Sequence, residues 1–316
     1  MYRILALDGG GIRGIFSTTV LERLEEAVPR LLQKFDLFAG TSTGAIIACG
    51  LAAGMEPEDL TEIYRTQGPL IFDDSWLDDV KDLGGLTGAE YGNSHLRLIL
   101  ESVFERGLGL KTLGDLRRKV LIPSFDLDDG GDPRRPPERL RSWKPKFFHN
   151  FPGPDSDSHE RIVDVLMRAC AGPVYFPTVD GYIDGGVVAN NPSMVALAQA
   201  LHPGTGGQRL EDVALLSIGT GHSATYIPGD HLDWGYVKWA RPIVRLCIDS
   251  QMDVARYECQ QLLGARFHRV EELFEWEMRL DDWEKVGDLR VLAEEVELAP
   301  AVAWVRATLS ARRATA

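Results

Sequence analysis

No segment of this sequence approaches the roughly 20 consecutive apolar residues needed to cross a bilayer. Met1 runs straight into an apolar strand and a glycine-rich turn, without the basic region, long apolar stretch and small-residue cleavage site of an export signal. Cysteine is scarce: Cys49, Cys170, Cys247 and Cys259 stand far apart, and no CxxC pair suggests zinc or redox chemistry. These absences lead to the expectation of a cytoplasmic protein whose thiols are small buried side chains in a reducing compartment. Positive charge is also in short supply. Lys and Arg total 34 against 47 Asp and Glu, and the net charge of -13 argues against a general polyanion binder such as a nucleic-acid protein. The same balance disfavours strong electrostatic attachment to anionic lipid, so any membrane contact is expected to be apolar, local or transient. None of the 7 histidines sits in HxxxH or HExxH spacing. The pairs Asp73-Asp74 and Asp78-Asp79 lack the spacing of a calcium loop, so neither a metal nor a cofactor is expected.

What is present is ample for a sizeable core, with 44% hydrophobic residues and no internal repeat. Short apolar runs at Tyr2 to Leu7, Phe35 to Ala39, Lys119 to Phe125, Lys146 to Phe151, Gly181 to Ile183 and Val213 to Ile218 read as strands. Between them, Ile15 to Ala27, Ala45 to Ala53, Pro57 to Gln67, Ser94 to Phe104 and His159 to Ala171 read as helices, as do Trp234 to Leu263 and the tail from Trp283. This alternation predicts an α/β fold, a three-layer α/β/α sandwich with a mainly parallel central sheet. The Asp, Gly, Pro and Arg-rich stretch from Asp126 to Lys146 fits an exposed excursion better than a boundary. One domain over 1–316 is therefore expected, with a C-terminal helical extension from about 233.

Three glycine-flanked turns carry the chemistry. Gly40-Thr41-Ser42-Thr43-Gly44 fits GxSxG, preceded by an apolar strand and followed by a small-residue helix, the context in which this motif lifts a serine hydroxyl out of the backbone. A side chain at Gly40 or Gly44 would collide with the neighbouring elements, and the helix that follows turns its positive end towards charge growing near Ser42. Asp8-Gly9-Gly10-Gly11-Ile12-Arg13-Gly14 also follows a strand and precedes a helix, so its amides could converge on an oxyanion. Arg13 could add positive charge there or brace the loop. The same loop matches GxGxxG, but the end of the second strand is occupied by the Ser42 turn rather than by a ribose-binding acid, so dinucleotide binding is rejected. Asp184-Gly185-Gly186 is by itself only a turn signal.

Together, in this order, the three motifs resemble the patatin-like phospholipase family. Phe35-Asp36-Leu37-Phe38-Ala39-Gly40, Tyr175-Phe176-Pro177 and Val188-Ala189-Asn190-Asn191-Pro192 are similar to it too, so the resemblance spans roughly Tyr2 to Gly221. It implies a metal-free acyl hydrolase acting on lipid or other ester substrates. In it Ser42 is the nucleophile, Asp184 the general base, and the amides of Gly9, Gly10 and Gly11 form the oxyanion hole. Arg13, Gly14, Gly40, Gly44, Gly185 and Gly186 support them. A carboxylate with a pKa near 4 is a poor base for a hydroxyl, so Asp184 should be partly desolvated and held against Ser42.

Rival readings remain open on the sequence. His222 follows the Val213 to Ile218 strand in the order of a Ser-Asp-His triad, and His149 is a second candidate. A carboxylesterase using such a triad on small soluble esters is one alternative function; a regulated effector of the same fold with low basal activity is another. The segment from Gly68 to Gly92 could be a lid whose apolar face meets acyl chains, or packed surface loops.

Overall fold

A computed structural model describes residues 1–72, 92–130, 141–230, 233–276 and 278–309. Its strands, in chain order, are β1 (Tyr2–Leu7), β2 (Leu37–Gly40), β3 (Lys119–Asp126), β4 (Lys144–His149), β5 (Tyr182–Asp184), β6 (Val213–Ile218), β7 (His222–Ser223), β8 (Phe267–Val270) and β9 (Leu273–Phe274). The helices used below are α1 (Gly14–Ala27), α2 (Thr43–Ala53), α3 (Pro57–Phe72), α4 (Ser94–Leu100), α5 (Ile162–Ala169), α6 (Gly186–Ala189), α7 (Ser193–Leu201), α8 (Tyr236–Leu263), α9 (Val286–Glu295) and α10 (Ala299–Leu309).

Strand β1 runs through the middle of a sheet ordered β4-β3-β2-β1-β6-β8, with β5 also paired to β3. Its apolar run is continuous because both faces are covered. Leu5 and Leu7 enter the core formed with α1, α2, α5, α9 and α10, while Ile4 and Ala6 face α7 and the C-terminal half of α8. That is the expected three-layer sandwich. Strands β2, β3, β6 and β8 join in parallel, and β4 and β5 are the antiparallel exceptions.

The segment beyond about 233 is not helical throughout, contrary to expectation. It supplies β8 at the sheet edge and β9 beside β7. The strand signal was masked because β8 is only four residues long and alternates buried Phe267 and Val270 with His268 and Arg269. The Asp126 to Lys146 excursion joins the antiparallel pair β3 and β4, and its residues 131–140 lie outside the described residues. Of the proposed lid, 68–72 completes α3 and 73–91 lie outside the described residues.

Candidate active site

Three parallel strands end level with one another, since Leu7 pairs with Gly40 on one side and Ile218 on the other. The chain continues from β1 to one side of the sheet and later returns to the other, so the carboxyl ends of these strands meet at a switch point, where open α/β sheets place ligands. The loop after β1, the Ser42 turn and the Gly219 to Gly221 turn therefore emerge together.

Ser42 sits at φ 53° and ψ −121°, a conformation that a side chain adopts only under constraint. The constraint is steric and local. A Cβ on Gly40 would run into the Gly44 carbonyl, and one on Gly44 would run into the Leu7 and Asp8 carbonyls. Amides after the turn close it, with Gly44 N–H donating to Thr41 O at 2.7 Å and Ala45 N–H to Ser42 O at 2.8 Å. The Thr41 hydroxyl donates to the Ala189 carbonyl at 2.6 Å, tying the serine turn to the helix after Asp184.

Asp184 is delivered by a change of partner along β3. Strand β3 leaves β2 after Leu121, and beyond that point β5 takes over, with Ser124 opposite Asp184. Gly185 permits this approach, because a Cβ there would run into Pro123. The carboxylate is almost wholly buried. Burial pushes its pKa up to about 6, while the adjacent Ser42 hydroxyl and the Gly186 N–H, donating at 2.7 Å, pull the other way. Cys170 lies against both groups, and burial followed by the nearby Asp184 charge pushes its thiol pKa well up.

The glycine loop is pinned at each peptide. Gly9 N–H donates to the Asn190 carbonyl at 3.0 Å, so that amide is already engaged. The Gly9 carbonyl accepts the Thr220 hydroxyl at 3.1 Å and the Asn190 amide at 3.4 Å, which aims the Gly10 N–H of the same peptide plane the opposite way. The Gly10 carbonyl accepts Arg13 N–H at 3.1 Å and Arg13 Nε at 3.3 Å, fixing the Gly11 N–H likewise. Arg13 also donates to the Gly221 carbonyl at 3.0 Å. Burial, then the neighbouring Arg245, lowers its pKa to about 10. Neither the Gly10 nor the Gly11 amide has an acceptor among the described residues. Gly11 (φ 57°) and Gly14 are needed for close approach: a Cβ on Gly11 would strike the Leu280 carbonyl, and one on Gly14 would strike Thr43 and Tyr64.

The arrangement is a hydroxyl beside a buried carboxylate, with a pair of open amides on the adjoining glycine loop. The family profile described as patatin-like phospholipase matches residues 5–197, a span that contains all of these groups. The chain belongs to the patatin-like phospholipase family. It is 31% identical over 280 residues to a cGAMP-activated phospholipase of Pseudomonas aeruginosa, covering 86% of this chain and 78% of that protein. Protein teg of Priestia megaterium is 34% identical over 236 residues, covering 75% of this chain and 68% of that protein. Patatin-like protein 4 of Arabidopsis thaliana is 28% identical over 307 residues, covering 83% and 72%. This patatin-like protein is accordingly a hydrolase of lipid acyl esters.

Neither rival histidine lies beside Asp184 among the described residues. His222 Nδ1 is 3.5 Å from Glu271, whose hydrogen bond raises the imidazole pKa. Burial pushes Glu271 up, but His222 and the Arg269 guanidinium outweigh it and hold the carboxyl at about 2. Arg269 in turn reaches the fully buried Asp8 at 2.6 Å, so His222 belongs to an ion network beneath the glycine loop. His149 lies at the end of β4, where burial lowers its pKa and its nearest charges are Asp157 and Lys146. The sequence reading missed Cys170, Thr41, Asn190, Thr220 and Arg269 as neighbours of the site. Thr41 and Asn190 had a signal, as parts of the GxSxG motif and of the Asn-Asn-Pro phrase.

Proposed function

We propose that Ser42 and Asp184 form the catalytic dyad of this lipid acyl hydrolase, with the Gly10 and Gly11 amides as its oxyanion hole. The observation that carries this reading is the buried Asp184 carboxylate beside the Ser42 hydroxyl, its pKa pushed up to about 6. A base with a pKa near the working pH combines adequate ionisation with useful proton affinity, which an ordinary aspartate lacks. Ser42 Oγ attacks the ester carbonyl while its proton passes to Asp184, and the carbonyl oxygen gains negative charge opposite the open amides and the α2 N-terminus. Collapse of the tetrahedral intermediate breaks the ester C–O bond. Asp184 returns the proton to the departing alkoxide, leaving an acyl-Ser42. A water deprotonated by Asp184 then attacks the acyl group and releases the fatty acid, and Ser42 recovers its proton.

Incubation of purified protein with phosphatidylcholine tests the reading: wild type should release fatty acid and Ser42→Ala should not, with or without EDTA. Release that stops with EDTA and returns with calcium overturns the metal-free dyad. Faster turnover of a soluble ester than of micellar phospholipid favours the small-ester alternative.

A second reading, an effector with low basal turnover, is supported by the relative named a cGAMP-activated phospholipase. Adding cyclic GMP-AMP separates the two, since stimulation well above the basal rate favours the regulated form. A reducing, cytoplasmic setting is supported by the free cysteines, of which Cys49, Cys170 and Cys259 are buried.

A further inference from the structure

Helix α8 behaves as two helices in succession. Its C-terminal half buries Ala255, Cys259 and Leu263, spaced four apart and therefore on one face. Its N-terminal half, 236–250, buries none of its described side chains, although it carries Tyr236, Val237, Trp239, Ile243, Val244 and Leu246. Tyr236 is 97% exposed and Val237 91%. Single exposed apolar residues need no explanation, but a contiguous set on one helix marks a contact surface.

The charge of this stretch departs as sharply from the rest of the chain. From Trp234 to Ile248 the sequence holds the basic residues Lys238, Arg241 and Arg245, and the first acidic residue is Asp249, 3.6 Å from Arg245, in a chain of net charge -13. Lys238 and Arg245, seven residues apart, fall on one side of the helix beside its apolar residues. Aromatic and aliphatic residues flanking a basic stripe are the composition of a helix that lies in a lipid headgroup interface. No described helix is long and apolar enough to cross a membrane, so surface contact is what this composition serves.

The same half-helix adjoins the active site. Arg245 donates to the Ser223 carbonyl at 3.4 Å, and its charge is felt by Arg13 in the glycine loop. One turn further on, Gln251 donates to the Val187 carbonyl at 2.9 Å, and Met252 Sδ accepts from Asn190 at 3.0 Å. Val174, a further exposed apolar side chain, stands in the loop that follows the Ala171 carbonyl accepting Asp184 N–H.

We propose that the N-terminal half of α8 seats on an anionic phospholipid surface and presents the Ser42 site to acyl chains in it. The proposal rests on the reading of the site as a lipid ester hydrolase. Lipid is favoured over a second copy of the chain because the half-helix runs into Gln251 and Met252, which contact Val187 and Asn190 beside the dyad where acyl chains must enter.

The Ser42→Ala protein, which leaves lipid intact, should sediment with vesicles of equal parts phosphatidylcholine and phosphatidylglycerol, and less with phosphatidylcholine alone. Lys238→Glu in that background should weaken binding about tenfold, and Val237→Asp with Val244→Asp should abolish it. With Ser42 intact, both variants should hydrolyse a soluble butyrate ester at the wild-type rate and lose turnover on vesicles. Unchanged vesicle binding in either variant overturns the docking surface, as does a protein that ignores vesicles and self-associates through this helix. Vesicle binding that needs these residues, in a protein that cleaves neither ester nor phospholipid, retains the docking surface and removes only the functional reading.

Discussion

Two glycine-rich turns face each other across the site, and they are held in opposite ways. The Gly40 to Gly44 turn is fixed by nearby backbone, by the collisions that a Cβ on Gly40 or Gly44 would cause with the Gly44, Leu7 and Asp8 carbonyls and by amides that close on carbonyls three residues away. The Gly9 to Gly14 loop is fixed from outside, by Asn190 and Thr220, 181 and 211 residues further along the chain. The first places a nucleophile by local geometry. The second aims the Gly10 amide by borrowing the side chains of Asn190 and Thr220 from distant turns, and the Gly11 amide through its own Arg13.

The largest effect should come from the groups that both turns serve. Ser42→Ala and Asp184→Asn should each lower kcat by on the order of 10^4 or more. Their stabilities should diverge. A buried carboxylate whose folded pKa is about 6 holds its proton more tightly than in the unfolded chain, so the folded state loses stability as pH rises from about 4 to about 6. Asp184→Asn removes that loss and should raise stability at pH 7 by up to about 3 kcal/mol, read by urea denaturation. An Asn variant less stable than wild type at pH 7 and more stable at pH 4 would reverse the sign and refute the desolvated base.

Next in size is the internally fixed turn. Gly44→Ala should force the backbone to shift away from Leu7, lowering kcat about a hundredfold for each ångström that the hydroxyl moves. Its Tm should fall by roughly 2 to 5 °C, because overpacking of this kind costs about 1 to 3 kcal/mol. A Gly44→Ala protein with wild-type kcat and Tm would mean that the turn is not sterically closed.

The externally held loop should fail more gently, and in kcat rather than KM. Thr220→Val removes one of the donors that hold the Gly9 carbonyl and should cost about tenfold. Combined with Asn190→Ala, the loss should approach that of one oxyanion donor, about 2.7 to 4 kcal/mol of transition-state stabilisation. If KM rises instead while kcat holds, the two side chains bind substrate rather than aim the Gly10 N–H. A smaller, graded effect is expected from acid: kcat/KM should fall about tenfold per pH unit below about 6, as Asp184 takes up its proton. Least of all, His222→Ala should change kcat by less than about threefold, since its partner is Glu271; a loss as deep as that of Ser42→Ala would restore the triad.

The same contrast explains what was legible in the sequence. Strand β6 and helix α1 could be read almost to the residue, because their apolar spacing is set by the core they face. The Ser42 turn was readable because Gly40 is required by a contact within the motif and Gly44 by the strand end that the motif packs against. The Gly9 amide was expected to face the substrate, yet it is spent on the Asn190 carbonyl, a partner that nothing in the loop announces. Arg13 was open between charge and brace, and its guanidinium donates to two loop carbonyls, those of Gly10 and Gly221, as a brace does. Strand β8 was missed because Arg269, the residue that interrupts its apolar pattern, serves the buried Asp8 from the other end of the chain. Long-range polar pairing is what a single sequence hides.

The most direct measurement is the site of covalent modification by a fluorophosphonate, mapped by mass spectrometry on the intact protein and its peptides. The label should sit on Ser42, vanish in Ser42→Ala, and form far more slowly in Asp184→Asn at neutral pH. Labelling at another residue, or undiminished phospholipid hydrolysis by a Ser42→Ala protein, would contradict the account at its centre.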